Sequence, residues 1–299
     1  MKNDTMRPVD RGEGLYRFSA DRFGREPWAL KDDFDYPRLV ILLHGFTKHG
    51  GYLRELAEFL EGSSYRTFIF NYSSYRGIEF AAETLADYVS TYDRQSRGLL
   101  SANRFFLACH SMGGLVARSA SLREEFRPLV RGIVMLGTPN DGCFPNSKLL
   151  DFLIRYGEHL AGPIPGARTR ACRAARQMIK KDRGAADRPY IDELNDLWRR
   201  TSNCPPCLSV SGGLPYLQIS DVNAVLNSFL NKRAQAMIGK QDNDGLVAEA
   251  SVDLRRFSGM GDGDYLHLNS YPDYSQRNHT ALKETQSIAL KVVDWLDER

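Results

Sequence analysis

Residues 105–118 read FFLACHSMGGLVAR. The first five are apolar, as a short buried strand requires, and the run from Met112 has the spacing of a helix with one face on a core. Ser111 stands between them, at a tight strand-to-helix turn. Such a turn strains the backbone and needs small residues two positions to either side. Gly113 meets that need on the helical side, and Gly114 lets the helix approach the sheet closely. On the strand side the position suits glycine and holds Cys109, which is small but a departure. A hydroxyl at this turn lies close to the first helical N–H groups, an arrangement suited to a nucleophile. The plainer alternative is that Ser111 only caps the helix, as serine commonly does.

Working outward, strand-like and helix-like runs alternate. Arg38–Leu43, Tyr65–Tyr72, Phe105–Cys109 and Val130–Leu136 read as strands, and Tyr52–Leu60, Ile78–Tyr92 and Met112–Leu122 as helices. Alternation at this length predicts α/β architecture, a mostly parallel sheet with helices on both faces. After Thr138-Pro139 the pattern breaks. Residues 140–206 offer only helix-like segments, at Lys148–Leu160, Arg170–Lys181 and Tyr190–Arg199. Within a single domain covering 1–299, this insertion reads as a helical cap over the sheet edge where ligands bind. Cys207–Val210 returns to strand, Val222–Ile238 reads as helix, Tyr265–Asn269 as a last strand and Leu282–Leu296 as a closing helix. Among the first 37 residues, Leu15–Ser19 and Trp28–Lys31 suggest a short antiparallel pair.

Composition narrows the function. With 299 residues, 42% apolar and 26% charged, the chain has material for a full core. Its formal charge of 40 − 37 = +3 gives no basic excess of the kind nucleic acid recruits. No apolar run exceeds Leu39–Leu43, against the ~20 residues a membrane span needs. Met1–Asp10 lacks the apolar core of a secretory signal. Five cysteines are too few for a disulfide framework. These readings lead to the expectation of a cytoplasmic enzyme or binding protein.

A second signal is His44-Gly45-Phe46, directly after the first strong strand. A backbone N–H presented there can meet the N–H that follows Ser111, so Phe46 and Met112 would form an oxyanion hole. Two donors matter because charge gathers on a carbonyl oxygen only in the tetrahedral transition state, and losing one typically costs ~3 kcal/mol. Alone, His-Gly is equally a strand-ending turn.

With HGF at 44–46, CHSMGGLVAR at 109–118, LGTPNDG at 136–142 and NDGLV at 243–247, the chain resembles the α/β-hydrolase superfamily. It looks most like the lipase and esterase branch, including bacterial triacylglycerol lipases and lipase-like GPI inositol-deacylases. The resemblance covers roughly 40 to 280 by the order of its pieces. It implies an acid after a late strand and a histidine after the last one, hence Asp244 as acid and His279 as base. The residues leave alternatives: Asp242 lies two positions from Asp244, and Asp-Asn-Asp-Gly also describes a solvated turn or a cation loop. Among the other histidines, His267 sits within an apparent strand, His110 adjoins the serine and points away, and His44 precedes the oxyanion turn. His49 and His159 look like loop and helix-surface residues.

The resulting expectation is a serine ester hydrolase, of lipase or carboxylesterase type, acting on a small-molecule or lipid ester through Ser111, His279 and Asp244. This chemistry calls for no cofactor, no metal and no nucleic acid. Acyl transfer, thioester or amide hydrolysis, and a silent binding scaffold remain as rivals. Cys204-Pro-Pro-Cys207 has redox or zinc spacing but lacks further ligands, and reads as structural. Arg168, Arg170, Arg173, Arg176 and Lys180 form a basic run, either a solvated helix face or a contact with an anionic lipid surface.

Overall fold

Val40, Ile41, Leu42 and Leu43 are wholly buried and lie at the centre of a seven-stranded sheet. The computed structural model describes residues 14–17, 38–46, 48, 50–95, 98–143, 173–179, 189–216, 227–228, 231–232, 235–236, 238, 242–258, 264–267, 278–283 and 286–299. The strands are β1 (Gly14–Arg17), β2 (Leu39–Leu43), β3 (Arg66–Asn71), β4 (Phe105–His110), β5 (Val130–Leu136), β6 (Cys207–Ser211) and β7 (Asp264–His267). Their spatial order is β1-β3-β2-β4-β5-β6-β7. All neighbouring pairs are parallel except β1 with β3. The expected parallel α/β sheet is present. At the amino terminus β1 pairs antiparallel with β3, Leu15 opposite Phe70; Trp28–Lys31, its expected partner, lies outside the described residues. A short run with few local partners completes its ladder on the sheet's free edge.

Parallel strands buried on both faces alternate between two cores. Leu39, Ile41, Leu43, Leu107, Cys109, Ile133 and Met135 face one, and Val40, Leu42, Ala108, Val134 and Leu136 face the other. The second core is closed by α1 (Arg54–Gly62) and, at the end of the chain, by Ile288, Val292, Trp295 and Leu296. The first is covered by α2 (Ile78–Gln95), with α3 (Leu99–Asn103) after it, and by α4 (Met112–Ser121). Each fully buried leucine or isoleucine contributes roughly 1.5–3 kcal/mol relative to exposure, so this double-sided burial fixes the register of the central strands.

The expected cap region contributes to the same core where it is described. The α5 helix (Tyr190–Arg200) buries Ile191, Leu194 and Trp198 in the first core. Its acidic Asp192 and Glu193 lie in the first turn and Arg199 and Arg200 in the last, matching the helix dipole. Residues 173–177 are helical, with Ala174, Ala175 and Met178 buried while Arg173 and Arg176 are exposed. Arg168, Arg170, Lys180 and the expected helix Lys148–Leu160 lie outside the described residues, as do most of 222–238. The chain closes on α6 (Gln286–Asp297).

Chain order sends β3 to one side of β2 and β4 to the other. The carboxyl ends of β2 and β4 therefore flank a switch point, where open α/β sheets bind ligands. His44-Gly45-Phe46 follows β2 and Ser111 follows β4.

Candidate active site

Ser111 has φ +56° and ψ −125°. A positive φ at a residue with a Cβ costs of order 1–3 kcal/mol and persists only where the surroundings impose it. Here the Ser111 N–H donates to the Leu136 carbonyl at 2.8 Å, and its carbonyl accepts from the Gly114 N–H at 3.1 Å. The Thr138 hydroxyl donates to the same carbonyl at 2.9 Å. Although Ser111 stands at the cap position, its side chain makes no capping hydrogen bond. That separates it from an ordinary helix-capping serine.

The glycines around the turn are there for space. A Cβ on Gly113 would come 2.5 Å from the Leu43 carbonyl oxygen, and one on Gly114 would come 2.1 Å from Thr138 Oγ1. Helix α4 therefore begins against the end of β2, bringing the two sequence signals together. A Cβ on Gly45 would lie 3.0 Å from the Cβ of Ser111. Cys109, the departure from glycine, is fully buried in the first core, and burial pushes its thiol well above the ordinary range.

The turn after β2 is clasped from β3. The Tyr72 N–H donates to His44 Nε2 at 3.3 Å, the Tyr72 hydroxyl donates to the His44 carbonyl, and the two rings stack with centroids 4.2 Å apart. With Nε2 accepting, Nδ1 carries the proton and donates to the Gly45 carbonyl at 2.9 Å. The Lys48 N–H reaches that carbonyl at 3.3 Å. In a trans peptide N–H and C=O point oppositely, so the Phe46 N–H is directed away from the His44 ring.

Asp244 is 1% exposed and His279 4%. The carboxylate accepts at Oδ1 from the N–H groups of Leu246 at 3.1 Å and Val247 at 2.8 Å. Its Oδ2 lies 2.7 Å from His279 Nδ1. Gly245, at φ +99°, completes the turn, and the His279 N–H donates to the Asp244 carbonyl at 2.8 Å. A carboxylate only accepts, so Nδ1 carries the proton and Nε2 presents its lone pair. Asp242 is exposed, and burial and contact with the imidazole belong to Asp244. His267 ends β7, paired in register with Ser211.

Two residues near His279 were not legible beforehand. Gly137, at φ +62°, directly follows β5, and a Cβ there would come 2.9 Å from His279 Nδ1. His110 lies 2.8 Å through Nε2 from the His279 carbonyl oxygen. LGTPNDG drew attention to the Gly137 segment, but nothing in it pointed to His279.

With this sheet order, elbow and acid–histidine pair in view, comparison by sequence profile decides the family. The profile of the alpha/beta hydrolase family matches residues 40–276. The chain belongs to the alpha/beta hydrolase family. Among solved structures of this fold, the alpha/beta hydrolase resembles Bacillus licheniformis lipase BlEst2 in mature form, with a TM-score of 0.61 at 12% identity over 96% of this chain and 98% of that one. A hydrolase from Oleispira antarctica matches with TM-score 0.52 and 14% identity over 88% and 92%. Phospholipase PlaB from Legionella pneumophila matches with TM-score 0.51 and 18% identity over 73% of this chain and 45% of that one. No curated protein matches the sequence.

Cys204 and Cys207 are free thiols directed at backbone carbonyls, Cys204 to Thr201 at 3.4 Å and Cys207 to Pro205 at 3.4 Å. Burial pushes the Cys207 thiol up to about 12. Among the described residues no His, Cys, Asp and Glu cluster is grouped to hold a metal, and no helix is long and apolar enough to cross a membrane. Arg173 pairs with Glu79 at 3.0 Å on the surface.

Proposed function

We propose that this protein is a serine carboxylic-ester hydrolase acting on a lipid-like ester. Ser111 is the nucleophile, His279 the general base and Asp244 the group that orients it, with the N–H groups of Phe46 and Met112 as oxyanion donors. One observation carries the reading: a buried Asp244–His279 contact of 2.7 Å, in a chain whose β4 ends on a strained serine with a side chain that does not cap its helix.

In acylation, Ser111 Oγ attacks the ester carbonyl carbon while its proton passes to His279 Nε2. The carbonyl π pair moves onto oxygen, where the two N–H groups stabilise it. Collapse of the tetrahedral species breaks the bond to the alkoxy group, and His279 returns the proton to that leaving alcohol. Water repeats the sequence on the acyl-enzyme, with His279 again as base, releasing the carboxylic acid and restoring Ser111. Asp244 stays ionised throughout and stabilises the imidazolium.

A lipid-like substrate is supported by apolar surface near the pair. Phe46, Cys143 and Leu246 are only partly buried and pack on the first core, and Phe46 meets Tyr75 edge-on with centroids 5.7 Å apart. The named lipase and phospholipase folds point the same way. Residues 140–206 are proposed as the cap over this surface.

A panel of esters of increasing acyl length, run on wild type and Ser111→Ala, tests the reading. Hydrolysis by wild type, rising with chain length and lost in the variant, supports it. Activity retained by Ser111→Ala removes it.

A further inference from the structure

His110 precedes the candidate nucleophile, yet its side chain turns from Ser111 to the base. Its Nε2 lies 2.8 Å from the backbone carbonyl oxygen of His279. A carbonyl only accepts, so Nε2 carries the proton and Nδ1 is bare. Nδ1 is buried without a hydrogen-bond partner and faces Gly45, where a Cβ would come within 3.3 Å of it. The ring packs on the His279 ring with centroids 4.8 Å apart and on Tyr52 at 5.4 Å. Lys283 and Lys48 place their ammonium groups 3.9 and 4.6 Å from the Tyr52 ring centroid. Burial, then the neighbouring His279, and more weakly the two lysines, hold the His110 imidazole well below its ordinary pKa. It is therefore a neutral, fixed donor.

We propose that His110 is a positioning residue that sets the base relative to the nucleophile, by holding the His279 carbonyl from the strand that ends in Ser111. This rests on Ser111 and His279 acting as proposed above. His279 is held to the acid twice, by its N–H on the Asp244 carbonyl and by Nδ1 on the carboxylate. Both contacts fix the base to the acid's turn. Neither fixes it to Ser111. The bond from His110 does, joining positions 169 apart in sequence, and the same ring abuts Gly45 of the proposed oxyanion turn. One side chain thus spaces three working parts of the site. A misplacement near 1 Å in such an arrangement costs on the order of 10²-fold in rate.

Two variants separate positioning from packing. His110→Phe keeps a planar ring in the space but cannot donate, whereas the amide nitrogen of His110→Gln can reach the carbonyl. Wild type and both variants are compared by kcat and KM on a short-chain ester, by thermal midpoint, and by hydrogen exchange at the His279 amide. Expected for His110→Phe is a fall in kcat of roughly 10–100-fold with KM little changed, and faster exchange at His279. His110→Gln should recover most of both at a similar midpoint. Unchanged kcat in His110→Phe, or equal loss in the two variants, overturns the proposal. Should wild type hydrolyse no ester, the proposed reaction fails. Exchange at His279 then still reads the anchor, and no change in His110→Phe overturns it.

Discussion

The imidazole of His279 and the carboxylate of Asp244 meet at 2.7 Å with side chains only 5% and 1% exposed. Thirty-five positions separate them, and the contact is built twice, since the His279 N–H also bonds the Asp244 carbonyl. In a site so sheltered the carboxylate selects one tautomer of the ring and holds it.

Asp244→Asn should therefore cost up to ~10⁴-fold in kcat, as loss of the correct tautomer does. Asp242→Asn, altering an exposed side chain, should leave kcat near wild type. His279→Ala should lose activity by several orders of magnitude, and His267→Ala should keep turnover in whatever fraction folds. Steady-state kinetics on the four purified variants checks this. Greater loss in Asp242→Asn would reassign the acid.

Gly137 and Gly98 both have positive φ, +62° and +85°. Alanine at either position costs ~1–2 kcal/mol for the left-handed backbone. A Cβ on Gly98 meets nothing within 4 Å, whereas one on Gly137 comes within 3.0 Å of His279 and Leu282 atoms. Gly137→Ala should therefore lose activity beyond its stability cost, and Gly98→Ala should stay active. Comparing midpoint with kcat/KM separates the two, and equal activity would show that the ring has room to move.

Burial and its neighbours keep His110 neutral in the fold, while an unfolded histidine takes up a proton below about pH 6.5. Below that value the unfolded chain binds the extra proton, so stability falls with falling pH, by up to ~1.4 kcal/mol per unit for this group. Above it the contribution is complete and flat. His110→Gln should flatten the decline in urea midpoint between about pH 6.5 and 5. Parallel curves for variant and wild type would contradict this.

Arg118 is fully buried and donates to Asn140 Oδ1 at 3.0 Å and Asn195 Oδ1 at 2.8 Å. Its guanidinium lies over Trp198 at 5.1 Å. Burial lowers its pKa to about 10, which leaves it charged at neutral pH. Asn140 in turn donates to Val252 at 2.7 Å, tying α4 and α5 to the segment after the acid turn. Arg118→Leu orphans two amide oxygens at ~1–3 kcal/mol each. Arg118→Lys should recover less than half of the loss, because an ammonium lacks the fork that spans both. Urea unfolding measures both, and a neutral Arg118→Leu would show that the asparagines repair themselves.

The central sheet was legible because its strands are buried on both faces: Val130–Leu136 keeps its expected bounds, and Phe105–His110 extends by one residue. The partner of the amino-terminal edge strand was not. Leu15 faces Phe70 with β2 and α1 between them in the chain, and local pattern carries no information about such a partner. The serine turn was legible because strain demands Gly113 and Gly114 in sequence beside it. The sequence left two carboxylates two positions apart, and they differ in burial and in the turn that feeds the Leu246 and Val247 N–H groups to Asp244. His110 read only as pointing away from Ser111, because its partner is a backbone carbonyl, which no side-chain pattern reveals.

The most direct measurement is the site of covalent labelling by a fluorophosphonate, read by mass spectrometry of the digested protein. Alanine at 111 keeps the same backbone strain as serine and removes only the hydroxyl, so the variant should unfold close to wild type. The account predicts one adduct, on Ser111, absent in Ser111→Ala and slowed in His279→Ala. An adduct on another residue, or undiminished labelling of folded Ser111→Ala, would contradict it.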